Sequence, residues 1–276
     1  MLITDLAKNH GSALTATDRR LVAVLQARPA EAAFWQAAEL TDPLGLHQSA
    51  ATRFAQRLGF DGYPRLRDAL RQDYLAGSGP SQRIRGSLER HPDDVIGGFV
   101  DDELTALSAL PQHVTQHDLD DLTAHVIAAG HVYLFGRGNA TVLVELLERR
   151  LRRSGIRVTS LDGPVRDVAE QLATLGEGDL ILACAFRRAP RDLVPMLEIA
   201  REVGAYTALL TDTLLSLSPQ PDAVLAAPRG GVDEFLTLTV PMAIANALVL
   251  TIARQAPDRA LRSLDRFESL LERFDR

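Results

Sequence analysis

From residue 131 onward, short apolar runs alternate with helical stretches, and that rhythm constrains the fold more than any other feature of the 276-residue chain. The runs are 131–135, 156–160, 180–185, 206–211 and 223–227. Each of the first four is followed by a glycine-rich or polar turn and then an amphipathic segment. Runs of strand length alternating with helices predict βα units, and so a parallel sheet covered by helices on both faces. Two further helices are expected over about 233–255 and 258–275.

Residues 1–77 read as helices only. Thr15-Ala16-Thr17-Asp18 resembles a capping box with Asp in the Glu/Gln place, followed by the stripe Leu21, Val22, Val24, Leu25 and a stop near Pro29. A second short helix is expected over 34–42, with Phe34 and Trp35 in the core, broken by Pro43 and Gly45. A third is expected over 47–58, closed by Gly59, and a fourth over roughly 64–76. Gly77-Ser78-Gly79-Pro80-Ser81 reads as a linker, and 82–128 as helical with breaks at His91-Pro92 and near Pro111. The expected organisation is a helical domain over 1–77, a helical linker over 78–108 and an α/β domain over 109–276.

Composition narrows the setting. Cys184 is the single cysteine, which excludes an internal disulfide and a multi-cysteine zinc site. No apolar run approaches the ~20 residues of a membrane span, and the N-terminus lacks a signal-peptide pattern. A cytoplasmic protein without membrane contact, cofactor or bound metal is expected. The formal net charge of -6 argues against a nucleic-acid partner only as a whole-chain average. Residues 1–77 sum to +1 and the rest to -7, and 53–71 holds five arginines against Asp61 and Asp68. Phosphate contacts depend on such nearby cations, because charges beyond ~10 Å are largely screened.

Two short helices meeting at Pro43-Leu44-Gly45-Leu46 suggest a helix-turn-helix. On the second, Ala51, Phe54 and Leu58 share one face, and Gln48, Ser49, Thr52, Arg53, Gln56 and Arg57 lie opposite. Gln and Arg can bond base edges in a major groove, and Ser or Thr can reach phosphate or base. The stretch Arg57-Leu58-Gly59-Phe60-Asp61-Gly62-Tyr63-Pro64-Arg65-Leu66-Arg67, with Arg53-Phe54 inside the helix, resembles the signature of the RpiR family of transcriptional regulators. That family joins a helix-turn-helix domain to a sugar isomerase (SIS) domain. The resemblance implies that Tyr63, Arg65 and Arg67 flank a DNA backbone, and that the partner is a double-stranded operator. His47 and Ala50 stand where the family commonly has Ser or Thr.

In the second half, Val132–Phe135 leads into Gly136-Arg137-Gly138-Asn139-Ala140-Thr141, a strand, a Gly-x-Gly turn and a helix start that can cradle an anion. The segments 178–183, 209–212, 216–219 and the helix near Asp233 resemble the SIS family, which implies a doubly wound parallel sheet of about five strands. The hydroxyl-rich loop usual after the third strand is replaced by Ala185-Phe186-Arg187-Arg188-Ala189-Pro190. Arginines at the carboxyl end of a parallel strand suit an anionic ligand. The expected effector site is Gly136, Arg137, Gly138, Asn139, Thr141, Arg187 and Arg188, with Asp192 pairing whichever of the last two faces away. A homodimer or homotetramer is expected, since DNA half-sites favour symmetry. The competing class is an SIS-type sugar-phosphate isomerase, which needs a positioned base. Glu145, Glu148, His113, His117, His125 and His131 form no such constellation, so no catalytic residue and no enzymatic activity are expected.

Overall fold

The computed structural model describes residues 2–275 except 12, 33–34, 78, 213–214, 216 and 231–233, and for 2, 29–30, 72–77 and 82 describes the backbone alone. Phe34, Ser78, Ser216 and Asp233, named above, lie outside the described residues. The chain divides into two compact units, 1–98 with 231–236 and 99–230 with 237–276.

The first unit is helical: α1 (Leu2–Asn9), α2 (Ala16–Ala27), α3 (Pro29–Ala32), α4 (Ala37–Thr41), a 3-10 turn (Asp42–Leu44), α5 (Ser49–Arg57), α6 (Tyr63–Gly77), α7 (Pro80–Arg90) and the start of α8 (Val95–Ala109). The capping box at α2 forms, with the Thr15 N–H donating to Asp18 Oδ2 (2.7 Å) and the Asp18 N–H to Thr15 Oγ1 (3.2 Å). The second helix is shorter than the expected 34–42. Gln36 and Glu39 cap it at Ala37, and it tightens to a 3-10 turn at Asp42 because Pro43 has no N–H to continue the ladder. Gly45, at φ +66°, then adopts the left-handed conformation that releases the chain toward α5. Leu21, Leu25, Leu40, Ala51, Phe54, Leu58 and Leu66 close the core, and Trp35 packs against it half-buried.

The second unit holds the rest of α8, a 3-10 turn (Leu110–Gln112), α9 (Gln116–Ala128), β1 (Val132–Gly136), α10 (Ala140–Arg153), β2 (Val158–Leu161), α11 (Val165–Leu172), β3 (Leu180–Cys184), α12 (Leu193–Val203), β4 (Tyr206–Thr211), β5 (Ala223–Ala226), α13 (Thr239–Gln255) and α14 (Pro257–Phe274). All five strands pair in parallel, in the order β2-β1-β3-β4-β5. Side chains alternate by the two-residue strand period. Val132, Leu134, Leu180, Leu182 and Cys184 join a core with α9, α10 and α13. Tyr133, Phe135, Ile181 and Ala183 join a second core with α11 and α12. Both faces are therefore dry, and this is why β1 and β3 read as unbroken apolar runs. The helix expected from about 233 begins at Thr239.

Phe54 is 0% exposed and central to the first core. Phe54→Ala is expected to destabilise that unit by about 3–5 kcal/mol. The measurement is a drop in its urea midpoint followed by circular dichroism.

Candidate functional site

Two surfaces bring the expected functional residues together, one in each unit. In the first unit, burial of Ala50, Ala51, Phe54 and Ala55 turns the other side of α5 outward. Gln48, Ser49, Thr52, Arg53 and Gln56 are exposed there, and Arg65 is exposed on α6. Among the described residues no carboxylate pairs with Arg53 or Arg65, so their full charge faces solvent. His47 substitutes for a hydroxyl cap, since the Ser49 N–H donates to its Nδ1 (3.3 Å).

Three residues of the expected DNA-facing set are engaged within the unit instead. Arg57 is half-buried, and its Nη1 donates to Asp18 Oδ1 and Oδ2, both at 2.8 Å, which ties α5 to the cap of α2. Arg67 donates from Nη1 to Gln36 Oε1 (3.1 Å). Tyr63 is a correction: it does not reach the surface. It is 2% exposed, its hydroxyl donates to Trp35 O (3.1 Å), and burial holds its pKa far above the usual phenolic value. The aromatic ring that follows the turn serves the core, and the sequence pattern alone does not distinguish that from a phosphate contact.

In the second unit the order β2-β1-β3 makes β1/β3 the point at which the sheet reverses its winding, the usual place for a ligand crevice outside the carboxyl ends. Gly136 pairs with Cys184 in register, so the loops after β1 and β3 leave the sheet side by side. Gly136 is required by close packing: a Cβ there would stand 2.9 Å from Val144 Cγ2 and 3.1 Å from Ala140 O. Gly138 adopts φ +59°, and exposed Asn139 follows it at the N-cap of α10. The hydroxyl of exposed Thr141 donates to Gly138 O (2.8 Å), so its oxygen is left to act as an acceptor.

The β3 loop is held by a pair that the sequence pattern does not reveal. Arg229 donates from Nε (2.8 Å) and Nη2 (2.6 Å) to Asp212 Oδ2, with both side chains 7% exposed. The other oxygen, Asp212 Oδ1, accepts the Arg187 N–H at 2.7 Å. Arg229 also lies 4.7 Å over the Phe186 ring and donates to Thr237 O (3.1 Å). One ion pair thus joins the ends of β3, β4 and β5 to the approach of α13. It also supports Arg187 at φ +64°, a left-handed conformation uncommon for a residue with a side chain. Arg188 follows, exposed, and among the described residues no carboxylate pairs with it.

Asp192 takes a different partner from either expected one. It accepts from Nε (3.1 Å) and Nη2 (2.9 Å) of Arg137, so the two loops are bridged by a pair that is 29%/30% exposed. Such pairs contribute about 0–1 kcal/mol. Cys184, at the end of β3, is 1% exposed, and burial pushes its thiol up to about 12.

The groups considered as bases are engaged with other partners. Glu145 pairs with Arg149, and Glu148 accepts from Arg152 and from the Ser160 hydroxyl. His131 bonds Thr159 Oγ1 (2.8 Å) just before β1, at the amino edge, and His125 stacks on Tyr206 at 3.8 Å near the start of β4. Among the described residues no cluster of three or more His, Cys, Asp or Glu could hold a metal ion. No described helix is long and apolar enough to cross a membrane.

Comparison with known proteins agrees with this geometry. Residues 1–77 match the helix-turn-helix domain of the rpiR family. The sugar isomerase domain of an RpiR transcription factor from Sphaerobacter thermophilus is 29% identical, with a TM-score of 0.57, covering 62% of this chain and 96% of that one. The NanR protein of Vibrio vulnificus, solved in complex with ManNAc-6P, is 17% identical with a TM-score of 0.66 and 99% coverage of both chains. A phosphoheptose isomerase from Francisella tularensis is 15% identical with a TM-score of 0.50, covering 58% and 96%. The last two likenesses establish the fold.

Removing one partner of the Asp212–Arg229 pair strands a buried charge. Asp212→Ala is therefore expected to cost about 3–5 kcal/mol, read by chemical denaturation of the second unit.

Proposed function

We propose that this chain, whose residues 1–77 belong to the rpiR family of helix-turn-helix domains and whose second unit has the sugar isomerase fold, is a DNA-binding transcriptional regulator that senses a small anionic metabolite. Its operator would be read by α5, with Gln48, Ser49, Thr52, Arg53 and Gln56 toward base edges and Arg65 on phosphate. The observation that carries this reading is the exposed polar face of α5 with Arg53 unpaired among the described residues. Arg57 and Arg67 sit beside that face and contribute through orientation as much as through charge. The modest charge of 1–77 makes tight operator binding depend on two such domains acting together, as a homodimer or homotetramer.

The effector site is the crevice beyond β1 and β3. Gly138, Asn139, Thr141, Arg187 and Arg188 would hold a phosphate or carboxylate, and the ManNAc-6P found with NanR is a ligand of that chemical class. Effector and operator would be coupled by about 1–3 kcal/mol between 109–276 and 1–77 through the 78–108 connection. The protein is then a cytoplasmic regulator and not an isomerase. The engagement of Glu145 with Arg149 and of Glu148 with Arg152 and Ser160, and the position of His131 and His125 toward the amino ends of the strands, support that, because proton transfer on a bound sugar needs an available base within hydrogen-bond reach.

A salt-dependent gel shift of the full chain on its own upstream DNA tests the reading. Specific binding is expected, weakened by about 1–3 kcal/mol in Arg53→Ala. Absence of specific binding together with turnover of sugar phosphates would overturn it.

A further inference from the structure

Two ion pairs flank the crevice, and they differ in a way that assigns them different work. Asp212–Arg229 is buried, its carboxylate uses both oxygens, and three loops hang on it. Breaking it would leave a charge without water or partner, so it is a fixed post. Arg137–Asp192 is nearly a third exposed, and both of its bonds land on a single oxygen, Asp192 Oδ2. Arg229 likewise lands both bonds on one oxygen of Asp212, so neither pair has the two-oxygen fork, and what separates them is exposure and the use of the second Asp212 oxygen by the Arg187 N–H. Asp192 also stands at the N-cap of α12 without bonding the first turn of that helix. Nothing but Arg137 holds its carboxylate among the described residues.

The position of this weaker pair matters. Arg137 belongs to the β1 loop, between Gly136 and Gly138, and Asp192 to the loop that carries Arg187 and Arg188. An anion settling between these loops meets an arginine whose charge is already neutralised, and a carboxylate that repels it. It binds by taking Arg137 away from Asp192. We propose that Asp192 is a specificity-determining residue of the crevice, a built-in competitor that occupies Arg137 and holds down the affinity for small inorganic anions. A ligand that also carries hydroxyl groups makes further bonds, one of them to the carboxylate it has displaced, since an ionised Asp is an acceptor only. The competitor thus favours a hydroxylated anion over a bare one. This inference rests on the crevice being the effector site.

Calorimetric titration of the full chain with inorganic phosphate in a chloride buffer tests it, on Asp192→Asn, Asp192→Glu, Arg137→Ala and the Arg137→Ala/Asp192→Asn double variant. Asp192→Asn is expected to bind phosphate about fivefold more tightly, the exchange expected for a partly exposed ion pair. Asp192→Glu, which keeps the competitor, stays near the unsubstituted protein. The gain from Asp192→Asn disappears when Arg137 is already alanine. A merely structural Asp192 would do the opposite, because loosening the loop weakens binding. Unchanged or weaker phosphate binding in Asp192→Asn, or a gain that persists without Arg137, overturns the competitor and leaves the effector site standing. Phosphate binding by none of the variants overturns the effector site and the competitor together.

Discussion

Burial of both faces of the parallel sheet is the constraint from which the second unit follows. Strands β1 and β3 lie in its interior, buried on both faces, and their side chains are apolar apart from the Cys184 thiol and the Tyr133 hydroxyl, which bonds Thr174. Polar and charged groups are therefore pushed to the ends of the strands. At the carboxyl edge the in-register pairing of Gly136 with Cys184 brings two loops out together, one built of small residues and one of arginines. The same burial sets Gly136, since α10 packs too close to the strand end for any Cβ. It also silences Cys184, whose thiolate would have to form in an apolar interior.

Charge at that edge is graded by exposure. The buried Asp212–Arg229 pair is costly to break and serves as scaffold, while the exposed Arg137–Asp192 pair is cheap to exchange and stands where a ligand would sit. Arg188 is left as the outward cation of a loop whose backbone is held by the scaffold pair. The first unit repeats the pattern. Asp18, 1% exposed, caps α2 and accepts both bonds from Arg57, so α5 is locked to its neighbour while Arg53 remains free toward solvent.

Sorting arginines in this way reconciles an acidic protein with the two anion-binding surfaces proposed for it. A net charge of -6 says little about a site when individual guanidinium groups differ in whether a carboxylate already neutralises them. Arg53 and Arg188 are unpaired among the described residues, Arg57 and Arg229 are committed, and Arg137 is held by a partly exposed partner that a ligand can displace. The distinction decides which of them can add affinity for phosphate and which can only shape the surface.

The strand–helix alternation, the five parallel strands and the buried stripe Ala51, Phe54, Leu58 were legible in the sequence, because burial on one or two faces writes a period directly into the chain. So was the meeting of the loops after β1 and β3, because glycines and arginines at the carboxyl ends of parallel strands mark it without reference to anything distant. The partners of individual charges were not. Asp212 and Arg229, Asp192 and Arg137, and Asp18 and Arg57 are separated by 17, 55 and 39 residues, and no local pattern couples them. Tyr63 illustrates the same limit from the apolar side, since its ring and hydroxyl can serve a core or a phosphate equally well. The sequence by itself determined which elements form and which faces are dry. Only the tertiary structure decided which charges are neutralised, because that depends on side chains brought within 3 Å of each other by the packing of whole elements.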